Sequence, residues 1–207
     1  MIHYQGEELS ASQQYKFLSG SVVPRPIAWV STLSPDGQVV NLAPFSLFSI
    51  VSKDLPLVSL SIMRENGEQK DTAYNLSQTG EGVIHIVDDN LLQEMNASSA
   101  SLPREESELT ALELETIASY RLKVPAIAKA KIRFESRVYQ HVPVYNKDQS
   151  QIMTDLFILE IVDFYFDEDV FDRQTGHVDV LSLKPIARLA GPNYGILGST
   201  YELPRPQ

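Results

Sequence analysis

Cysteine is absent from this chain of 207 residues, which removes disulfides, thiolate metal sites and thiol nucleophiles together. The longest apolar runs fall far short of the ~20 residues that a membrane helix needs. Residues 1–20 lack the basic start and apolar stretch of a secretory signal. These absences fit a cytoplasmic address without requiring one. Basic residues are also outnumbered: 17 Lys and Arg stand against 27 Asp and Glu, a formal net charge of −10. A phosphate backbone or an anionic bilayer needs a basic face, so neither nucleic acid nor a membrane suits this chain as a partner. A small anion is still compatible, because two or three cations and a few backbone N–H groups can hold one.

Catalytic signatures are missing too. There is no G-x-G-x-x-G, no G-x-x-x-x-G-K-[ST], no H-E-x-x-H and no G-x-S-x-G, which argues against a Rossmann dinucleotide site and a P-loop. His3, His85, His141 and His177 are scattered without ligand spacing, and no metal is expected. His85 falls inside an apolar strand pattern and reads as structural. The carboxylate pairs Asp88–Asp89 and Asp167–Asp169 read as solvated turns at strand ends. An enzyme with so little side-chain chemistry of its own needs a cofactor that brings the chemistry with it.

What is present reads as one mainly β domain, residues 1–207, without repeats, linkers or a break in composition. "SASQQYKFLSG" has a serine start and a glycine stop and predicts a short helix. "PIAWVST" and "QVVNLA" flank the turn "LSPDG" as a β-hairpin. "LVSLSIM" and "GVIHIVDD" predict strands. Between them "KDTAYNLSQTG" predicts a helix capped by Asp71 or Thr72 and ended by Gly80. "NLLQEMNASSA" and "SELTALELETIAS" look helical. "KIRFESRVYQHV" places Ile132, Phe134, Val138 and Val142 on one strand face and Arg133, Glu135, Arg137 and Tyr139 on the other. "DLFILEIVDFYF" is apolar on both faces, as a doubly buried strand or one in a subunit contact would be, and "YNKDQSQ" makes these two strands a second hairpin. The tail, rich in Gly and Pro, predicts an extended surface arm. Hairpin-joined antiparallel strands favour a barrel with peripheral helices over a doubly wound sheet.

Residues 39–52, "VVNLAPFSLFSIVS", pose the functional question. The run is mostly apolar and uncharged, yet it holds an asparagine, three serines and a proline. Pro44 removes a backbone donor and keeps the chain irregular. Asn41 and Ser46 can donate and accept at the edge of a ring, while Phe45, Leu47 and Phe48 supply apolar area. Such a surface suits a flat heteroaromatic ligand with polar edges. Taken alone, it is equally a bulged strand with a buried proline. "SIMRENGEQKDT" joins a strand end to a helix start and carries Arg64, Lys70, Asp71 and Thr72. Two cations, a hydroxyl and free N–H groups at a helix N-terminus favour a phosphate. Taken alone, that segment reads first as a solvated turn with a helix cap.

"PRPIAWVSTLSPDGQVVNLAPFSLFSIVS" followed by "SIMR…KDTAYNL" resembles the flavin reductase-like, FMN-binding split-barrel family. That family includes flavoredoxin-type proteins and the reductase components of two-component monooxygenases. The tail "PIARLAGPNYGILGSTYELPRP" looks like that of one of its subgroups. The resemblance implies a split β-barrel, a homodimer, and one non-covalent FMN near each subunit contact, with NAD(P)H as the electron donor. By the same resemblance Asn41, Leu42, Ala43, Pro44, Phe45 and Ser46 would line the isoalloxazine ring. Trp29, Ser31 and Thr32 would lie on its ribityl or ring side. Ser61, Ile62, Arg64, Lys70, Asp71 and Thr72 would hold the phosphate, and Tyr194 would approach the flavin or the partner subunit. "GPNYGILG" carries no histidine, whereas several flavin reductases hold one near the C-terminus for nicotinamide. Three functions therefore stand open: an FMN-dependent oxidoreductase, an FMN-binding electron carrier, and a barrel that has lost its cofactor.

Overall fold

A computed structural model describes residues 1–204 and 206. Arg205, part of the quoted tail, and Gln207, the end of the expected domain, lie outside the described residues. Helix α1 (Ala11–Ser21) opens with a reciprocal capping box, in which the Ser10 side chain accepts from the Gln13 N–H and the Gln13 side chain from the Ser10 N–H. Gly20, the expected stop, lies inside the last turn, and the Val22 N–H closes the helix on the Leu18 carbonyl. Strand β1 (Arg25–Pro26) runs into β2 (Ala28–Leu33), which forms the expected hairpin with β3 (Val40–Phe45). Gly37 supplies the positive φ, 75°, that its turn requires. Next come β4 (Phe48–Ile50), β5 (Leu57–Met63) and α2 (Asp71–Thr79). Gly80, left-handed at φ 72°, ends α2 as the sequence leads one to expect. The expected N-cap is not made: Lys70 holds the cap position and no side chain closes it.

Strand β6 (Glu81–Ile86) is followed by α3 (Leu92–Ala97) and α4 (Glu108–Leu112). The long helix expected across "SELTALELETIAS" stops after five residues. Glu113 turns left-handed there, and the β-branched pair Thr116–Ile117 forms β7, which pairs with β8 (Ala126–Ile127) instead. The second hairpin, β9 (Ile132–Tyr145) with β10 (Ile152–Phe166), is present and carries register shifts along its length. Short strands β11 (Phe171–Asp172) and β12 (His177–Val178), the turn α5 (Val180–Leu183), and strands β13 (Ala187–Arg188) and β14 (Tyr194–Gly195) complete the order.

Seven strands form one sheet in the order β3-β2-β6-β9-β10-β5-β4. Strands β3 and β4 stand at opposite edges of it, yet only Ser46 and Leu47 separate them in sequence. Two residues span at most about 7 Å, so the sheet has to curl until its edges nearly meet. Phe45 and Phe48, one from each edge, pack on the same core, made of Val30, Leu60, Ile84, Phe157 and Leu159 among others. Strand β2 serves two cores. Ala28 and Val30 point into the barrel, while Trp29 packs outside it with Leu42, Met95 and Ile127. This double burial explains why "IAWV" is apolar without alternation.

Two carboxylates, Glu135 and Asp88, are buried. Glu135 lies opposite Phe134 as the alternation requires, but residues 119–125 cover it, and it accepts the Tyr120 and Arg121 N–H groups at 2.7 and 2.9 Å. Asp88 is 2% exposed and pairs with Lys131 at 2.9 Å, where a solvated turn was expected. His85 is structural. Its Nε2 accepts from the Ile127 N–H at 2.9 Å, so Nδ1 carries the proton and donates to the Trp29 carbonyl at 2.8 Å. Burial pushes its pKa down to about 4. The neutral ring ties β2, β6 and β8 together.

Candidate functional site: the seam of the barrel

The curl leaves β3 as a sheet edge, and the candidate site lies along it. In an antiparallel edge strand every second residue turns its N–H and C=O outward. Here that set is occupied first at Val40, whose carbonyl accepts from Ser107 Oγ at 2.5 Å. It continues at Leu42, whose N–H donates to Glu108 Oε2 at 2.8 Å. By the same alternation the next outward position is Pro44, which has no N–H to leave unpaired. This is the edge position at which a strand tolerates proline. A carbonyl edge and the pyrrolidine ring are left facing out.

Three adjoining depressions share Pro44 and Phe45. One of about 260 Å³ lies between Asn41, the α2 start at Lys70 and Thr72, and a loop carrying Ser98, Ser99 and Ser101. A second, about 160 Å³, is bounded by Ser46, Ser61, Met63 and Lys70. A third, about 340 Å³, lies between Tyr15, Asn96, Arg188 and Tyr194. Together they make one elongated groove over an uncharged ledge, Ala43 to Ser46. A flat, mostly apolar surface with a few fixed polar groups is what an aromatic cofactor needs.

At one end of this groove α2 begins without a side-chain cap. Among the described residues, no acceptor lies within hydrogen-bonding reach of the Asp71, Thr72 or Ala73 N–H groups. Beside them the exposed Lys70 supplies a positive charge, and Thr72 Oγ1, which accepts from Asn41 Nδ2 at 2.7 Å, still has its own proton to donate. Free N–H groups, the positive helix end and a cation attract an anion, while Glu65, Glu68, Asp71 and Glu108, which border the same depression, oppose one.

Arg64 stands in a different position. Its Nε and one terminal nitrogen grip the fully buried Asp155 carboxylate at 2.8 and 3.0 Å, and its other terminal nitrogen donates to the Gly67 carbonyl. Asp155 also accepts from Gln69 at 3.1 Å and from His141 Nε2 at 2.8 Å, whose ring stacks on Phe157. Burial pushes the Asp155 pKa up, but the donors from Arg64, His141 and Gln69 outweigh it and hold the carboxyl below its usual value. The hub thus ties loop 64–70, which delivers Lys70 to the groove, to β10.

The remaining expected residues divide by depth. Asn41, Asp71 and Thr72 face the groove with the ledge, although Asp71 is also paired with Arg104 at 2.7 Å. Ser61 lines it beside Lys70, while Ile62 and Leu42 are core residues. Trp29, Ser31 and Thr32 are fully buried, one layer behind. The Trp29 indole donates to Ser98 Oγ at 2.8 Å, Ser31 Oγ to the Pro125 carbonyl at 2.7 Å, and Asn75 to Thr32 Oγ1 at 3.1 Å. Tyr194 lines the far depression and donates to Asn96 Oδ1 at 2.9 Å.

Sequence reasoning missed three contributors to this groove. The serine loop after α3 has the same neutral hydrogen-bonding character as residues 41–46, and "NASSAS" could have been flagged on that ground. Glu108 is 7% exposed, with burial raising its pKa, and Arg188 enters from the tail; no local pattern marks either one.

The flavin reductase like domain matches residues 19–182, and the chain belongs to this family. An uncharacterized protein of Bacillus subtilis is 44% identical over 100% of both chains. Among solved structures, the chain is similar to nitrilotriacetate monooxygenase component B from Bacillus cereus, at 38% identity and a TM-score of 0.93, covering 98% of each chain. It is also similar to 2-nitrobenzoate 2-nitroreductase from Pseudomonas fluorescens, at 30% identity and a TM-score of 0.87, covering 99% of this chain and 96% of the other. The curled sheet is a split β-barrel, the fold of flavin-associated proteins.

Proposed function

We propose that the chain is an FMN-dependent oxidoreductase of the flavin reductase type, taking electrons from NAD(P)H and passing them to oxygen, to free flavin or to a partner oxygenase. One observation carries this reading: the uncapped start of α2, with Lys70 beside it, opens onto the same groove as the neutral ledge of residues 43–46. An anion seat and a planar seat in one groove match a flavin mononucleotide at both ends. Likeness to a monooxygenase component B and to a nitroreductase supports redox work at this site.

Bound FMN would supply the ring that accepts a hydride and gives up electrons singly or in pairs. The protein's part is to bind and orient it. Lys70, Thr72 and the α2 N–H groups hold the phosphate. Arg64 and Asp155 fix the loop that carries Lys70. Asn41, Ala43, Pro44, Phe45 and Ser46 meet the ring, and Ser61 lies beside them. Trp29, Ser31 and Thr32 act from behind, by holding Ser98, residue 125 and Asn75 in place. An uncharged ledge is favoured because a buried unpaired charge against an apolar ring costs several kcal/mol, roughly.

The same reading makes the chain a cytoplasmic homodimer. Strand β10 supports a second copy, because it leaves the apolar Met153 and Phe164 46% and 53% exposed. None of the described helices is long and apolar enough to cross a membrane.

The test is titration with FMN and with riboflavin, followed by NADH oxidation with excess FMN. Tight FMN binding, weaker riboflavin binding and NADH consumption above the protein-free rate are expected. Failure of FMN to bind defeats the proposal. A second reading, an FMN-binding electron carrier, is favoured by one observation: the tail segment at the groove, residues 188–197, contains no histidine. FMN binding without NADH consumption selects it.

A further inference from the structure

The depression at the tail end of the groove differs in charge from the one at α2. Glu65, Glu68, Asp71 and Glu108 all border the α2 side. No Asp or Glu lines the tail side, where Arg188 is the charged group. In a chain of net charge −10 that segregation calls for an explanation.

The setting of Arg188 supplies more. Its guanidinium lies over the Tyr194 ring, 4.5 Å from the centroid, and among the described residues no carboxylate is within ion-pair distance of it. The Tyr194 hydroxyl is itself fixed by Asn96. Stacked in this way, the guanidinium keeps its edge donors free in a planar fork of the shape a carboxylate accepts. Directly across the β1–β13 pair stands Arg25, 8% exposed. It donates to the carbonyls of Ser19, Val22 and Leu189, finds no acid, and leaves its Nε without a partner. Like charges placed opposite each other across a strand pair are destabilising. Two arginines so placed, beside a cleft empty of acids, create a positive field that an anion would relieve. The rest of the lining is uncharged and mixed, with Tyr15, Phe45 and Pro192 beside the polar Ser46, Asn96 and Ser99.

We propose that this cleft is a second ligand site, for a monocyclic aromatic carboxylate held by Arg188 with its ring against Tyr15 and Pro192. At about 340 Å³ the cleft has room for one substituted ring and not for a dinucleotide. The assignment deepens the proposed function by naming a substrate class. It rests on the flavin reading only in making the flavin ring a neighbour, since Arg188 and its cleft exist without flavin.

Calorimetric titration of benzoate into the purified protein, flavin-free and FMN-saturated, tests it, with benzamide as the neutral isostere. Benzoate is expected to bind both forms. Arg188→Gln should weaken it about tenfold, the loss when a charge-assisted pair at a half-open site becomes a neutral bond. Arg188→Lys should recover part of the affinity, and benzamide should bind weakly and equally to all three proteins. Asn96→Ala, which frees Tyr194 while keeping the charge, should weaken benzoate by a smaller factor. No benzoate binding, equal binding by Arg188→Gln, or benzamide binding as tight as benzoate overturns the proposal. So does Arg188-dependent binding of reduced nicotinamide mononucleotide in place of benzoate. FMN titration of the same proteins separates the two readings. Arg188-dependent benzoate binding by a protein that takes no FMN leaves this site standing and removes only the flavin reading.

Discussion

Replacing Lys70 by alanine removes a cation beside the free N–H groups of α2 and leaves those groups in place. A unit charge about 4 Å from a phosphate oxygen is worth about 1 kcal/mol in water and about 4 kcal/mol at intermediate dielectric. Lys70 is exposed, so screening keeps the effect near the lower bound, at about 1–2 kcal/mol. That corresponds to roughly a 5- to 30-fold weaker FMN affinity. Riboflavin, which lacks the phosphate, should bind the variant and the parent alike. Flavin fluorescence titrations at about 0.05 and about 0.5 M salt supply a second check, because the penalty should shrink as salt screens the exposed charge. Equal losses for FMN and riboflavin, or an FMN penalty indifferent to salt, would refute the assignment of this loop to a phosphate.

Three further outcomes are expected. Asp155→Asn should cost about 3 kcal/mol in urea unfolding, because Arg64, 17% exposed, loses its carboxylate partner and His141 and Gln69 lose their shared acceptor. It should also weaken FMN more than riboflavin through the displaced Lys70 loop. His85 is held neutral with its pKa near 4 against an ordinary 6.5. The unfolded chain therefore takes up the proton first as pH falls, and stability should drop by on the order of 3 kcal/mol between pH 6.5 and about pH 4. His85→Gln should remove that part of the slope, and an unchanged slope would refute it. Glu108 has the opposite sign for a carboxyl: burial raises its pKa, so ionisation at neutral pH opposes folding. Glu108→Gln should raise the urea midpoint at pH 7.5 relative to the parent and lose that advantage at pH 4, where both side chains are neutral.

Much of this protein is legible without coordinates because its signals are local. Ser10 announces a helix start, Gly37 and Gly80 need positive φ, and the β2–β3 and β9–β10 pairs are set by alternation and turn chemistry. The neutral character of residues 41–46 is visible in the same way, as is the cluster of Arg64, Lys70 and Thr72. The helix expected beyond Leu112 fails because Thr116 and Ile117 find a strand partner ten residues further on, which no window of local propensity can register.

The sequence by itself determined the antiparallel hairpins and the neutral character of residues 41–46, since each depends on neighbours a few residues apart. Only the tertiary structure decided how they are used. Curling a seven-stranded sheet until Ser46 and Leu47 could join its two edges made Pro44 an edge residue and turned the ledge outward. The same closure buried Trp29 and Thr32 behind the ledge and committed Arg64 to an aspartate 91 residues away. It also carried Arg188 and Tyr194 to the far end of the groove. Pairings between residues so distant in sequence are fixed by the shape of the closed barrel, and no short stretch of sequence encodes that shape.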